Sequence, residues 1–110
     1  MKLGLFVGAV LFSSISLADW QSGKITGYVN FVSGGREIIL IKLENNSAGT
    51  CNTTGRYAID DTSKQFKFFQ SMVLSAYATK ETININFNQS CNSWGNAWDI
   101  NFACVGSINC

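Results

Sequence analysis

The side chains able to do chemistry in this sequence are aromatic rings, amides and scattered acids, and histidine is missing altogether. Nucleophilic catalysis requires a base beside the nucleophile, most often a histidine. Catalysis by paired carboxyl groups requires two converging acids. The only adjacent acids are Asp60 and Asp61, and their place just before a predicted helix suits the positive end of the helix dipole. We therefore expect a protein that is not an enzyme.

The cysteines are the second group of residues with chemistry, and they are Cys51, Cys91, Cys104 and Cys110. A zinc site is disfavoured, because there is no Cys-x-x-Cys pair and no histidine to complete a tetrahedron. An even number of cysteines in a small exported chain predicts disulfides instead. Cys104 and Cys110 are near neighbours in the tail, which pairs them and leaves Cys51 for Cys91. We expect two disulfides, no metal and no cofactor.

Aromatic and amide side chains are also suited to holding a ligand. Carbohydrates commonly bind with an apolar C–H patch against an aromatic ring and with hydroxyls hydrogen-bonded to amides or carboxylates. The residues of this type are Trp94, Asn96 and Asp99 around the last loop, and Tyr28 and Asn30 on the polar face of the first strand. The alternative for Trp94 is packing over the larger disulfide, since large aromatic side chains are mostly buried.

The first 18 residues match a cleavable secretory signal. They contain one charge at Lys2, an apolar run over residues 3–12, and small residues at Ser16 and Ala18. The run is shorter than the about 20 residues of a transmembrane helix, although a retained anchor or a buried helix is the alternative. We expect residues 19–110 to form one secreted or periplasmic domain. A domain of this size has a small core and is expected to need covalent cross-links for its stability.

The charge balance limits the partners of that domain. The sequence has 8 Lys+Arg and 7 Asp+Glu, and removing Lys2 with the signal leaves seven of each. A nucleic-acid binder needs a basic stripe to neutralise phosphates, and no basic run is present. We expect neither nucleic-acid binding nor membrane insertion.

Two-residue periodicity predicts strands on either side of a Ser33-Gly34-Gly35 turn. The first strand carries an apolar face that consists of Ile25, Gly27, Val29 and Phe31. The second strand, residues 37–43, is apolar on both faces. This pattern is typical either of a central strand buried on both sides or of a face that meets another subunit. A short third strand is predicted over residues 56–59.

One helix and two further strands are predicted after the third strand. Thr62 and Gln65 match a capping box that starts a helix over residues 63–79. The helix has a core-facing stripe at helical spacing, which consists of Phe66, Phe69, Val73 and either Ala76 or Tyr77. The fourth strand, residues 82–87, alternates without exception. In the fifth strand, residues 97–102, the inward residues are Trp98, Ile100 and Phe102.

The order of elements is therefore three strands, one helix and two strands. Five short strands bury their apolar faces best as a closed sheet. A five-stranded Greek-key barrel with a helix between strands three and four is the oligonucleotide/oligosaccharide-binding (OB) architecture. Other α+β arrangements fit the same order.

Several segments together resemble a known group of proteins. They are Gly23-Lys24-Ile25-Thr26 opening a strand, Arg56 to Asp60, the helix with Ala76-Tyr77-Ala78, and Cys91 followed by Trp94-Gly95. The chain looks like small secreted bacterial proteins that in turn resemble the B subunits of AB5 toxins of the pertussis, subtilase-cytotoxin and typhoid-toxin kind. Asp19-Trp20 and the closing cysteine pair are similar to the ends of some such subunits.

The resemblance implies an OB-like fold, attachment to host-surface glycans, assembly as a homopentamer and a toxic A subunit as partner. The sequence then supports two functions. The first is a secreted glycan-binding subunit of this kind. The second is an exported structural or protein-interaction domain, such as an inhibitor or an envelope factor, that binds no sugar.

Overall fold

The structure is a computed structural model that describes residues 18–110. The predicted signal peptide lies outside this range except for Ala18. The described chain contains strands β1 (Asp19–Ser33), β2 (Arg36–Leu43) and β3 (Arg56–Asp60), helix α1 (Phe66–Thr79), and strands β4 (Thr82–Asn88) and β5 (Ala97–Val105). The predicted order of five strands and one helix is confirmed.

The five strands form one sheet that closes into a ring in the order β1-β2-β3-β5-β4. The 15-residue strand β1 closes the ring because it has two partners. Its first part pairs with β4 between Asp19 and Lys24, and its second part pairs with β2 between Ile25 and Ser33. Strands β3 and β5 run parallel, whereas the other neighbouring strands are antiparallel. The protein is thus mainly β with one helix.

The hydrophobic core fills the space between the sheet and α1. Strands contribute branched and aromatic side chains such as Ile83, Ile85 and Phe87, all buried as their alternation predicts. The helix adds its predicted stripe, which consists of Phe66, Phe69, Val73 and Ala76. Burying each large apolar side chain contributes about 1.5–3 kcal/mol, so the stripe fixes the helix on the sheet.

Strand β2 is buried on both faces within the single chain. Ile39, Ile41 and Leu43 belong to the main core. On the other face Ile38 and Leu40 form a second cluster with two alanines, and this cluster is covered by Phe31 and Trp94. The first of the two alternatives for this strand, a central strand buried on both sides, is confirmed.

A bulge in β1 reverses its predicted alternation. Ile25 pairs with Leu43, but the register shifts between Ile25 and Gly27, so that Tyr28 pairs with Ile41 and Asn30 with Ile39. Directly paired residues of antiparallel strands share a face. Tyr28 and Asn30 therefore follow Ile25 on the core side, while Val29 and Phe31 lie on the opposite face. The prediction of one continuous apolar face was wrong, because an extra residue in one strand reverses every later side chain.

A second bulge corrects the predicted orientation of Phe102. The register of β4 and β5 shifts so that Phe87 pairs with Ile100 but Asn86 pairs with Phe102. The ring of Phe102 is exposed and meets Trp20 edge to face, with ring centroids 5.6 Å apart. The prediction that Phe102 points inward was wrong for the same reason as in β1.

The predicted capping box at the start of α1 was also wrong. The N-cap residue is Gln65, and no side chain caps the helix. The hydroxyl and N–H of Thr62 donate instead to the Asp60 carboxylate, and the Ser63 hydroxyl accepts from the Gln65 N–H. Short polar side chains often make such local turns in preference to a helix cap.

Both predicted disulfides are present, Cys51–Cys91 and Cys104–Cys110. Two disulfides indicate an oxidising compartment, extracellular or periplasmic. No helix within residues 18–110 has the length and apolar character to cross a membrane.

Candidate functional site

The structure places the predicted ligand-binding residues in two separate groups. Asp99 pairs with Ala58 of the second cluster, on the outer face of the sheet, and Trp94 and Asn96 belong to the loop that covers this face. Tyr28 and Asn30 lie on the opposite, core side of β1. These five residues therefore do not form one site.

Asp99 holds the loop between β4 and β5. Its carboxylate accepts hydrogen bonds from the backbone N–H groups of Asn92 and Ser93, each 2.9 Å from Oδ1, and from the Ser90 hydroxyl at 2.6 Å. Hydrogen bonds to a charged group contribute about 1.5–3 kcal/mol. The acceptor capacity of Asp99 is thus used to fix the loop.

Trp94 and Asn96 serve the same loop. The Trp94 ring meets Phe31 edge to face, with centroids 4.9 Å apart, and covers the second cluster. The Asn96 side-chain oxygen accepts from Nη2 of Arg56 at 2.9 Å, and its backbone carbonyl accepts from the Thr54 hydroxyl at 2.7 Å. Trp94 packs on Phe31 and the outer face of the sheet, so its ring has a structural role.

An ion pair completes the attachment of this loop. Arg36 donates to Asp60 at 2.7 Å and to the Ser93 carbonyl at 3.4 Å. Burial of the Asp60 carboxyl raises its pKa, but the Thr62 hydroxyl and N–H, the Ser93 hydroxyl and the Arg36 guanidinium favour the charged form. Together they hold the pKa of Asp60 below its ordinary value of 3.8. Asp60 is therefore a charged structural anchor.

The other group contains an exposed aromatic pair. Tyr28 on β1 and Tyr77 on α1 meet edge to face, with ring centroids 5.2 Å apart. They are 40% and 44% exposed. We call this pair the tyrosine shelf. Asn30, two residues along β1 from Tyr28, is exposed and donates to the Glu37 carboxylate at 3.1 Å.

A groove of about 340 Å³ lies beside the shelf. Its lining includes Tyr77 together with the polar side chains of Lys24, Thr26, Glu44 and Lys80. The Glu44 carboxylate accepts the backbone N–H of Lys24 at 3.2 Å. The groove thus offers an aromatic face, two ammonium donors, a hydroxyl and a carboxylate acceptor in one open depression.

A smaller crevice of about 60 Å³ lies at Tyr28 and Asn30. On the helix side it is lined by Gln70 and Leu74. Gln70 also approaches Glu37, at 3.5 Å, which is the carboxylate that accepts from Asn30. The shelf is therefore bordered by hydrogen-bonding groups at both tyrosines.

The sequence pattern indicates Tyr28 and Asn30 but not Tyr77, Lys24, Glu44 and Lys80. Helical spacing alone allows either Ala76 or Tyr77 to complete the core stripe of the helix. Ala76 is buried, whereas Tyr77 is one position further round the helix and lies at the rim. A tyrosine at the edge of an amphipathic stripe is the sequence signal for such a position, because its ring is apolar and its hydroxyl is polar.

No group of three or more His, Cys, Asp or Glu side chains within residues 18–110 is arranged to hold a metal ion. Comparison with known protein families finds no family that matches this chain, and comparison with curated proteins finds no similar sequence.

Proposed function

We propose that this protein is a secreted, non-enzymatic carbohydrate-binding domain and that its site is the tyrosine shelf with the adjoining groove. One observation carries this proposal: Tyr28 and Tyr77 hold each other edge to face while about two fifths of each side chain stays exposed. Buried apolar side chains need no further explanation, but an exposed aromatic pair beside a polar groove is typical of a ligand surface.

The chemistry of the groove suits a sugar. A pyranose presents an apolar C–H patch to an aromatic ring and hydroxyls to polar groups at its edge. Lys24 and Lys80 donate hydrogen bonds and Glu44 accepts them. The Thr26 hydroxyl donates to the Lys42 carbonyl at 3.2 Å and can accept a hydrogen bond from a ligand. The absence of histidine from the sequence favours binding over catalysis.

The fold supports the same proposal. From the ring of five strands in the order β1-β2-β3-β5-β4, with the helix between β3 and β4 in the chain, we infer an OB-type Greek-key arrangement. Proteins with OB folds bind oligosaccharides as well as oligonucleotides, and the balanced charge of residues 19–110 disfavours the latter. We extend the proposal to a toxin B-type subunit that assembles as a homopentamer and carries a toxic A subunit.

A second function is favoured by a different surface. Phe68 on α1 is 69% exposed, and the exposed Trp20 and Phe102 meet across the sheet. Phe68 and Phe102 line one groove of about 200 Å³. Exposed aromatic residues are enriched in protein interfaces, so this surface supports an exported protein-interaction domain that binds a protein partner without sugar.

A glycan array probed with the oxidised, secreted protein and two variants tests the first proposal. Tyr77→Ala removes half of the shelf and should weaken binding about five- to thirtyfold, since stacked rings contribute roughly 1–2 kcal/mol. Phe68→Ala is the matched control, because it removes an even more exposed aromatic ring from the same helix. It should leave glycan binding unchanged.

Binding to no glycan, or equal losses in both variants, would contradict the shelf as the site. A pull-down from periplasmic or host extracts, with and without free competing sugars, tests the second proposal. A partner that is retained despite free sugar and lost in the Phe68→Ala variant would favour the protein-interaction domain. The mass of the protein in solution tests the pentamer.

A further inference from the structure

Arg56 carries a positive charge that no carboxylate balances within residues 18–110. The ion pair among these residues joins Arg36 to Asp60, and the hydrogen-bond acceptors of Arg56 are both neutral. The side chain lies at the outer face of the sheet, where it is half-buried. A half-buried guanidinium without an acidic partner is ready to bind an anion.

Neighbouring polar groups fix the guanidinium in place. Its Nε donates to the Thr54 hydroxyl at 3.0 Å, and Nη2 donates to the Asn96 side-chain oxygen at 2.9 Å. Thr54 is itself held, because its hydroxyl donates to the Asn96 carbonyl at 2.7 Å. Since a guanidinium has five N–H donors, Nη1 and the second hydrogen of Nη2 remain for a ligand.

A groove of about 210 Å³ lies beside this guanidinium. It is lined by Arg56 and Lys42 together with the apolar residues Val29 and Leu40. Val29 is 46% exposed, so the floor of the groove is accessible. Both cations therefore border one depression that has an apolar floor.

This groove does not include Tyr77, although Tyr28 of the tyrosine shelf contributes to its lining. Successive side chains of a strand point to opposite faces. Tyr28 shares the core side with Ile41, its partner on β2, whereas Val29 pairs with Leu40 on the outer side. A ligand in the groove would thus leave the Tyr77 half of the shelf free.

We propose that the Arg56–Lys42 groove is a second binding site, for an oxyanion group carried on a body with an apolar or C–H-rich surface. The oxyanion accepts hydrogen bonds from Nη1 and Nη2 of Arg56 and is attracted by the Lys42 ammonium. The body lies against Val29 and Leu40. Phosphate esters, sulfate esters and carboxylates share this chemistry, and the planar donor edge of arginine fits all three.

Chemical-shift titration of the ¹⁵N-labelled, oxidised protein tests the site with four probes that share one pyranose ring. The probes are glucose 6-phosphate, glucose 6-sulfate, glucuronate and, as the neutral control, glucose. We expect at least one charged probe to shift the Arg56 Nε–H and the backbone amides of residues 54–56 and 96, and glucose to leave them unmoved. The charged probe that binds most tightly identifies the anion.

Two variants and one control complete the experiment. Lys42→Gln, whose side chain makes no hydrogen bond in the described chain, should weaken the charged probe about threefold without changing the fold, and Arg56→Gln should weaken it at least about tenfold. Lys67→Gln removes the same charge from α1 and should change nothing. Tyr77→Ala should also leave this titration unchanged, so the outcome does not depend on the carbohydrate proposal.

The inference is overturned if no charged probe moves these signals or if glucose moves them equally. It is also overturned if Lys42→Gln and Arg56→Gln, both folded by their amide spectra, bind the charged probe as the parent does.

Discussion

Lys80 follows α1 in the left-handed conformation, with φ at 59°. Glycine is the usual residue at this place, and a residue with a side chain costs about 1 kcal/mol there. Lys80 also lines the groove beside Tyr77. Residues with a strained backbone are often found at functional sites. We infer that Lys80 contributes to ligand binding in the groove.

Lys80→Gly separates stability from binding. We expect the free energy of unfolding to rise by about 0.5–1 kcal/mol, since the strain is relieved, and the affinity for the glycan to fall. Urea denaturation and glycan titration of the same samples measure the two effects. Lys64→Gln, which removes a charge just before the helix and away from the groove, is the control for net charge. A variant that is more stable and binds as well as the parent would remove Lys80 from the site.

Asp60 makes the stability of the fold depend on pH. Its pKa is held below the ordinary value of 3.8 in the folded protein, so the folded state favours the carboxylate more than the unfolded state does. The resulting stability is fully present above about pH 4 and is lost as the pH falls through the lowered pKa. Asp60→Asn should cost about 2 kcal/mol at pH 7, and this difference from the parent should shrink at lower pH.

Urea denaturation of both proteins between pH 7 and pH 2 measures this effect. The neighbouring Asp61→Asn changes the same charge at an exposed position and should cost less at pH 7. A difference between Asp60→Asn and the parent that grows as the pH falls would contradict the ion-pair account.

At the scale of elements, the loop over residues 89–96 acts as a cover for the outer face of β2. Asp99 and the Arg36–Asp60 pair attach it to the sheet, and the Cys51–Cys91 bridge attaches it to the loop between β2 and β3. Trp94 then packs on the second cluster beneath it. This cover explains how β2 is apolar on both faces within one chain.

The two disulfides should differ in their effect on stability. Cys51 and Cys91 are 40 positions apart and join distant parts of the chain, whereas Cys104 and Cys110 are 6 apart. In the chain-entropy model the longer loop contributes about 4 kcal/mol and the shorter about 2.4 kcal/mol. We expect the double variant Cys51→Ser, Cys91→Ser to lose clearly more than the double variant Cys104→Ser, Cys110→Ser in guanidinium denaturation. Equal losses, or a larger loss from the tail bridge, would contradict this ranking.

The sequence predicts the elements well because period and burial agree in most of them. β4 alternates without exception, and its apolar residues are buried as expected. It does not predict the bulges, because a bulge depends on how two distant strands align and not on either strand alone. The faces of Tyr28, Val29 and Phe102 therefore had to come from the structure.

The candidate site was predicted only in part, because it also depends on contacts between distant strands. Composition and loop position selected Trp94, Asn96 and Asp99, but their rings and hydrogen bonds are engaged in holding the loop. Tyr28 meets Tyr77 because the bulge in β1 places the Tyr28 side chain on the core side of the sheet, where the helix packs. Contacts between residues far apart in sequence decide which aromatic side chains remain available.

For the molecule as a whole, the ring of strands separates two accessible faces. The tyrosine shelf lies where β1 meets α1, and the Arg56–Lys42 groove lies on the outside of β1, β2 and β3. A neutral sugar suits the first and an oxyanion suits the second.

The most direct test of the carbohydrate proposal is a map of amide chemical shifts as the strongest glycan from the array is added to the labelled protein. We expect the largest shifts at Lys24, Tyr28, Tyr77 and Lys80, and we expect the Tyr77→Ala variant to need more glycan than the parent to reach the shifts at the other three residues. Largest shifts in the loop over residues 89–96, or at Phe68 and Trp20, would contradict it.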